Sequence, residues 1–322
     1  MSSRGGLAAF SGLPRVTALG GGHGLAASLS ALRQLTDRLT AIVTVADDGG
    51  SSGRIRDEFG GLPPGDLRMA LAALCGDDHS GRTWAQILQT RFPGEGPLGG
   101  HAIGNLLIAG IWQRLGDPVA GLAMVGDLLN SRGRVLPMST VPLGIEADVV
   151  GLDASSPDEL CTLAGQATIA KTRGQVQGVR LVPDDAPACP QAVEAILESD
   201  VVVLGPGSWF TSVMPHLLVP DLRGAIETTT ARRVLTMNIR PADETQGYSA
   251  SRHLELLAEH APRLRLDNVI VDRSFVQADR HLAAFAESLG ADLVVADVAM
   301  RDGSARHDPL RLAAALRDVM GL

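Results

Sequence analysis

The chain is short of the residues that staple or anchor a protein. Its three cysteines, Cys75, Cys161 and Cys189, are far apart and odd in number, and they match neither a disulfide framework nor a zinc-ligand cluster. A reducing cytoplasm is their simplest home. No charge-free apolar run reaches the roughly 18 residues that a membrane-spanning helix needs. Residues 1–14 have no sustained hydrophobic stretch, so they read as a loose tail and export is not expected. Aromatic residues make up 3% of the chain, with one tyrosine, Tyr248, and Lys171 is the single lysine among 28 basic residues. This arginine bias, beside abundant Ala and Gly, reflects genome composition more than chemistry. A net charge of −8 argues against a general nucleic-acid binder, so any bound anion must be held by local donors against the global field. The phosphate-loop signature G-x-x-x-x-G-K-[ST] is absent, as are H-E-x-x-H, G-x-S-x-G and C-x-x-C, which removes the main support for dedicated NTPase, zinc-protease and α/β-hydrolase readings.

What is present suits a large α/β domain. At 322 residues, 45% of them hydrophobic, the chain can bury a core without covalent help. Apolar runs at 15–19, 39–46, 200–208, 232–239, 266–272 and 291–298 predict strands. Helical patterns cover 25–35, 249–260, 278–289 and 308–319, and residues 64–130 read as mainly helical. Continuous apolar strands separated by helices indicate a mostly parallel sheet covered on both faces. Residues 134–182 break the rhythm. VLPMS, IEADVVGLD, ATIAK and VQGVRLV are short alternating stretches, expected to form a small antiparallel insertion in one domain over 15–322.

Five stretches could carry chemistry. In LGGGHGLAAS, Gly22, Gly24 and Ala27 follow a strand with the G-x-G-x-x-A spacing, so Gly21, Gly22, His23 and Gly24 are placed to offer N–H groups to a diphosphate; the plainer reading is a tight turn. In IVTVADDGGSSGR, a strand ends in two carboxylates. Asp47 and Asp48 could accept from sugar hydroxyls or hold a magnesium ion, while Ser51, Ser52 and Arg54 donate to phosphate; a hairpin turn is the alternative. LPPGDLR offers Asp66 as a helix cap or a ligand contact, with Arg68 in a first turn where the helix dipole disfavours a cation. GGHAIGN sets His101 and Asn105 four residues apart. A second strand–glycine–helix turn, GPGSWFTS, adds Gly205, Gly207 and Ser208, with Trp209 and Phe210 read as core.

Taken in order, GGGHG, TVADDGGSSGRIRDEF, LPPGDLR, GHAIGNLL, GPGSWFTSVMPHLLVP and GYSASRHLELL resemble the YvcK-type gluconeogenesis factors, relatives of the 2-phospho-L-lactate transferase CofD, over roughly residues 15–320. The resemblance implies a Rossmann-like, doubly wound fold. It implies a cytoplasmic bacterial protein that binds UDP-N-acetylglucosamine and links central carbon metabolism to cell-wall precursor synthesis and cell shape. Tyr248 and Arg306 fall on the family's UDP-sugar contacts, and Lys171 on a family lysine position. His23 stands where threonine is usual, Met69 where asparagine is common, and Pro309 where relatives can carry a phosphorylatable threonine. The expected partners are the nucleotide sugar, a protein of amino-sugar or cell-wall precursor synthesis and further copies of the chain, with no nucleic acid and no membrane insertion. Two alternatives stay open at this point: a magnesium-dependent transferase acting on a nucleotide-diphosphate-linked substrate, and an NAD-binding protein.

Overall fold

The computed structural model describes residues 12–241, 243–276 and 279–322, so most of the expected tail, residues 1–11, lies outside the described residues. Ten strands form two sheets: β1 Val16–Gly20, β2 Leu39–Val43, β3 Arg134–Pro137, β4 Gly144–Val150, β5 Cys161–Ala164, β6 Gln175–Val182, β7 Val201–Leu204, β8 Arg232–Thr236, β9 Asn268–Asp272 and β10 Asp292–Ala296. The larger sheet runs β10-β9-β8-β7-β1-β2-β3, and every pairing in it is parallel. The strand order therefore reverses between β1 and β7, as in a doubly wound nucleotide-binding sheet. Its central strands are wholly buried, which is why they read as unbroken apolar runs.

Five helices lie between residues 22 and 115: α1 Gly22–Leu32, α2 Gly50–Phe59, α3 Gly65–Leu74, α4 His79–Gln89 and α5 Ile103–Leu115. Leu25, Leu29 and Leu32 put one face of α1 into the core, where the helix packs against α3 and the C-terminal helix Pro309–Met320. Helix starts follow the capping chemistry. Asp117 accepts from Val119 and Ala120 before Pro118, and Asp308 accepts from Leu310 and Arg311 before Pro309. On the sheet's other side His216, fully buried, donates through Nε2 to the Ile42 carbonyl at 3.2 Å, and burial pushes its pKa down to about 4.

The smaller sheet, order β5-β4-β6, is antiparallel. Two details differ from the sequence reading. The VLPMS stretch supplies β3, which pairs with β2 as the edge of the large sheet, so the insertion proper begins at β4. ATIAK forms no strand: Gln166–Ile169 is a helical turn, held from outside by Asp48. The segment leaves and rejoins the main body at neighbouring points, because Gly144 pairs with Val182 and Ser139 bridges to Ala188.

Candidate functional site

Open parallel sheets bind ligands outside their carboxyl edge where the strand order reverses, and here both glycine turns converge on that point. β1 runs into α1 through Gly20–Gly24, and the N-cap residue is Gly21, which brings no capping side chain of its own. β7 runs into Gly205–Ser208 and a single π turn, Trp209–Val213. The two turns touch so closely that a Cβ on Gly24 would collide with the Pro206 carbonyl. Glycine at position 24 thus serves the contact between the loops as well as any phosphate. Asn238, just beyond β8, clamps the second loop by accepting from the Gly207 N–H at 3.0 Å and donating to the Gly207 carbonyl at 2.8 Å. Glu244 supports it from behind, accepting from Ser208 Oγ at 2.6 Å and from the Phe210 N–H at 3.1 Å; burial pushes its pKa up.

Between the loops lies a cleft of about 300 Å³, lined by His23, Gly24, Gly207, Ser208, Arg306 and His307, with Asn238 and Arg240 at its β8 side. Such a volume sits at the lower end of the ~300–1,000 Å³ typical of ligand pockets. Arg306 bonds to Ser304 and Asp302 at 3.3 and 3.2 Å and stays exposed at the rim. His307 is buried and its Nε2 lies 3.1 Å from the Met237 carbonyl. Since a carbonyl only accepts, Nε2 carries the proton and Nδ1 is the acceptor. Burial pushes this imidazole's pKa down to about 4, so it is neutral at pH 7. Asp272 anchors the rim by accepting from Ser274, Val298 and Ala299 at the ends of β9 and β10.

Beside the cleft, the aspartates divide. Asp66 stands in the first turn of α3 but caps nothing there, contrary to its expected capping role. It instead accepts from Thr44 Oγ1 at 3.2 Å and from the Gly22 N–H, facing the start of α1. Burial first, and the neighbouring charge of Asp47 second, raise its pKa from 3.8 to about 6. Asp47 accepts from the Gly49 N–H at 3.0 Å. Asp48 turns the other way and accepts from the Ala167 N–H at 2.9 Å, capping the helical turn of the small-sheet segment. The carboxylates that the fold brings together are thus Asp47 and Asp66, while Asp48 is engaged in structure. Among the described residues no three His, Cys, Asp or Glu side chains gather as a metal-ligand set.

Ser51, Ser52 and Arg54, expected as phosphate donors on a loop, stand instead in α2. Its Ser51 is buried and saturated: Oγ lies 3.0 Å from His101 Nδ1 and accepts from Asn105 Nδ2 at 3.0 Å. Arg68 Nε donates to Asn105 Oδ1 at 2.8 Å, so Ser51, His101, Asn105 and Arg68 make one buried chain. Ser52 is also buried, close against Gly65. Arg54 reaches the Gly99 carbonyl at 2.7 Å. Tyr248 does not line the cleft. Its hydroxyl donates to the Val176 carbonyl at 3.1 Å, and its ring meets Phe210 and His253 edge-on. Trp209 and Phe210 are core residues, as read. Asn238, Arg240, Glu244 and His307 escaped the sequence reading. The first two follow β8 directly, so the carboxyl-edge rule was the signal that could have found them.

Comparisons agree with this architecture. Residues 16–307 match the family model described as 2-phospho-L-lactate transferase CofD. The chain is 54% identical over 308 residues to a Mycobacterium tuberculosis protein named "Putative gluconeogenesis factor", covering 94% of this chain and 90% of that one. It is 34% identical over 315 residues to the "Gluconeogenesis factor" of Listeria monocytogenes, covering 94% of each. A crystal structure of a UPF0052 family member from Bacillus halodurans superposes with a TM-score of 0.81 at 34% identity, covering 94% of this chain and 98% of that one.

Proposed function

The chain belongs to the family of the 2-phospho-L-lactate transferase CofD, beside relatives that carry the name gluconeogenesis factor, and on that footing we propose that it is a UDP-sugar-binding regulatory protein. Its ligand is UDP-N-acetylglucosamine. Bound in the cytoplasm, the nucleotide sugar governs a protein partner in amino-sugar synthesis and so ties central carbon metabolism to cell-wall precursors and cell shape. The observation that carries this reading is the cleft where two glycine turns meet at the reversal of strand order. The start of α1, where Gly21 brings no side chain and Asp66 takes the Gly22 N–H, suits a diphosphate, and Arg240 and Arg306 supply the cations that the overall negative charge does not. His307 Nδ1 offers an acceptor to a sugar hydroxyl or a base N–H.

Isothermal titration calorimetry with UDP-N-acetylglucosamine, with and without Mg²⁺ and with GDP and NAD as competitors, tests the reading. Saturable binding of the UDP-sugar, weakened about tenfold by Arg240→Ala or Arg306→Ala, is expected. Heat from GDP or NAD alone would overturn it.

One observation favours a second reading, a magnesium-dependent transferase acting on a nucleotide-diphosphate-linked substrate. Asp47 and Asp66 lie close enough for one charge to raise the other's pKa, and hard oxygen donors of this kind suit Mg²⁺. They, rather than Asp47 with Asp48, would hold the ion, which would supply charge neutralisation at a diphosphate. Turnover of a nucleotide-diphosphate substrate that requires Mg²⁺ would establish this reading; tight binding without turnover would favour the regulator.

A further inference from the structure

Arg68 is, among the described residues, the only buried arginine or lysine. Its contacts are both neutral amides: Nε donates to Asn105 Oδ1 at 2.8 Å, and Nη1 to Gln89 Oε1. Among the described residues no carboxylate lies within ion-pairing distance of it. Buried cations are normally paired, because removing a charge from water is expensive unless an opposite charge offsets it. Here burial and the nearby Arg91 work against the charged form, opposed only at longer range by Asp66 and Asp47.

Two more guanidinium groups stand at the same place without a carboxylate partner. Arg54, on α2, donates to the carbonyls of Pro97 and Gly99 at 3.4 and 2.7 Å. Arg91 donates to the Gly100 carbonyl at 2.7 Å. Buried His101 lies between them; burial, Arg54 and Arg91 lower its pKa, and Glu58 alone opposes them. Glu95 lies on the same loop. Behind the arginines stands the head of α5, a helix of 13 residues whose Ala102 and Ile103 N–H groups are taken by Ser51 Oγ and the Thr90 carbonyl, and Gly104 in its first turn lies tight against the stem of Arg68. Three guanidinium groups and an imidazole thus gather where the acceptors bonded to them are neutral and the charges of Asp47, Asp66 and Glu58 act only from further away.

We propose that Arg54, Arg68 and Arg91 at the head of α5 form an anion subsite, separate from the cleft between the glycine turns, that takes a phosphoryl group. Three guanidinium forks match the several acceptor oxygens of a phosphate dianion. Arg54 and Arg91 exchange loop carbonyls for phosphate oxygens, and Arg68 acquires the counter-charge it lacks. The subsite stands whether or not a nucleotide sugar fills the cleft.

Inorganic phosphate is the probe, titrated against the full chain by calorimetry without divalent cations. Wild-type protein is expected to bind it saturably. Arg91→Ala, an exposed change that leaves the core intact, should weaken binding at least ~10-fold, and Arg68→Gln should abolish it. Loss in the Arg240 and Arg306 variants alone would place the phosphate in the cleft and overturn the proposal. It would equally fall if no variant altered binding, or if the wild type showed no saturation up to ~20 mM phosphate.

Discussion

Asp66 sits under opposing demands: the fold encloses it beside Asp47, while a bound cation would need it charged. Its pKa in the folded chain, about 6, lies above the ordinary 3.8, so folding favours the protonated form. The stability this group contributes is fully present below about pH 4 and is lost as pH rises through about 6, roughly 3 kcal/mol in all. Asp66→Asn should therefore match the wild type at pH 4 and exceed it in urea denaturation at pH 8 when divalent cations are chelated. Under the transferase reading, Mg²⁺ at pH 8 should raise the wild type's midpoint and leave that of Asp66→Asn where it was. Gly24 is constrained by shape rather than charge. Gly24→Ala drives a Cβ into the Pro206 carbonyl, with backbone on both sides of the clash. A loss of about 1–3 kcal/mol in denaturant unfolding is expected, together with loss of UDP-sugar binding.

At the scale of elements, Asp48 and Tyr248 are ties between the two sheets rather than contacts in the cleft. Asp48→Ala removes a helix cap worth ~1 kcal/mol, and Tyr248→Phe leaves the Val176 carbonyl unpaired at similar cost. Hydrogen exchange should show both variants losing protection in β4–β6 well before β1 and β7; equal loss across both sheets would contradict this division. The same elements show what was legible beforehand. Parallel strands announce themselves as apolar runs, so β1, β2 and β7–β10 were all anticipated, although β10, at the sheet edge, is only partly buried. Gly-Ser-Ser-Gly at the start of α2 reads as a loop because nothing local favours a helix. The helix depends on Ser51 bonding to His101 and Asn105, fifty residues and more away. ATIAK reads as a strand from Thr168 and Ile169, and the distant carboxylate of Asp48 overrides that preference.

For the whole molecule, acid is the more dangerous direction. His216 and His307 have pKa values of about 4, depressed by burial from an ordinary 6.5. The stability each contributes is present above pH 6.5 and is lost as pH falls through about 4, roughly 3 kcal/mol apiece. Asp66 runs the opposite way and offsets part of one histidine. Denaturation midpoints should fall between pH 6.5 and 4, and His216→Gln should flatten that acid limb relative to its own value at pH 7.5. The glycine turns were visible as separate motifs, but their meeting was not. It depends on β1 lying beside β7, a pairing of Val16 with Val201 that no local pattern encodes. Arg240 and His307 join the cleft through the same long-range arrangement.

The small sheet enters and leaves the main body through paired neighbours, Gly144 with Val182 and Ser139 with Ala188. Its two ends adjoin like the stem of a graft. A relative's version, or a short turn, can be spliced across that stem without changing the spacing of the body that carries the glycine turns. The lineage of this appendage is thereby free to diverge from that of its host, and exchange of the segment between relatives is the natural way to ask which half carries a property that differs between them.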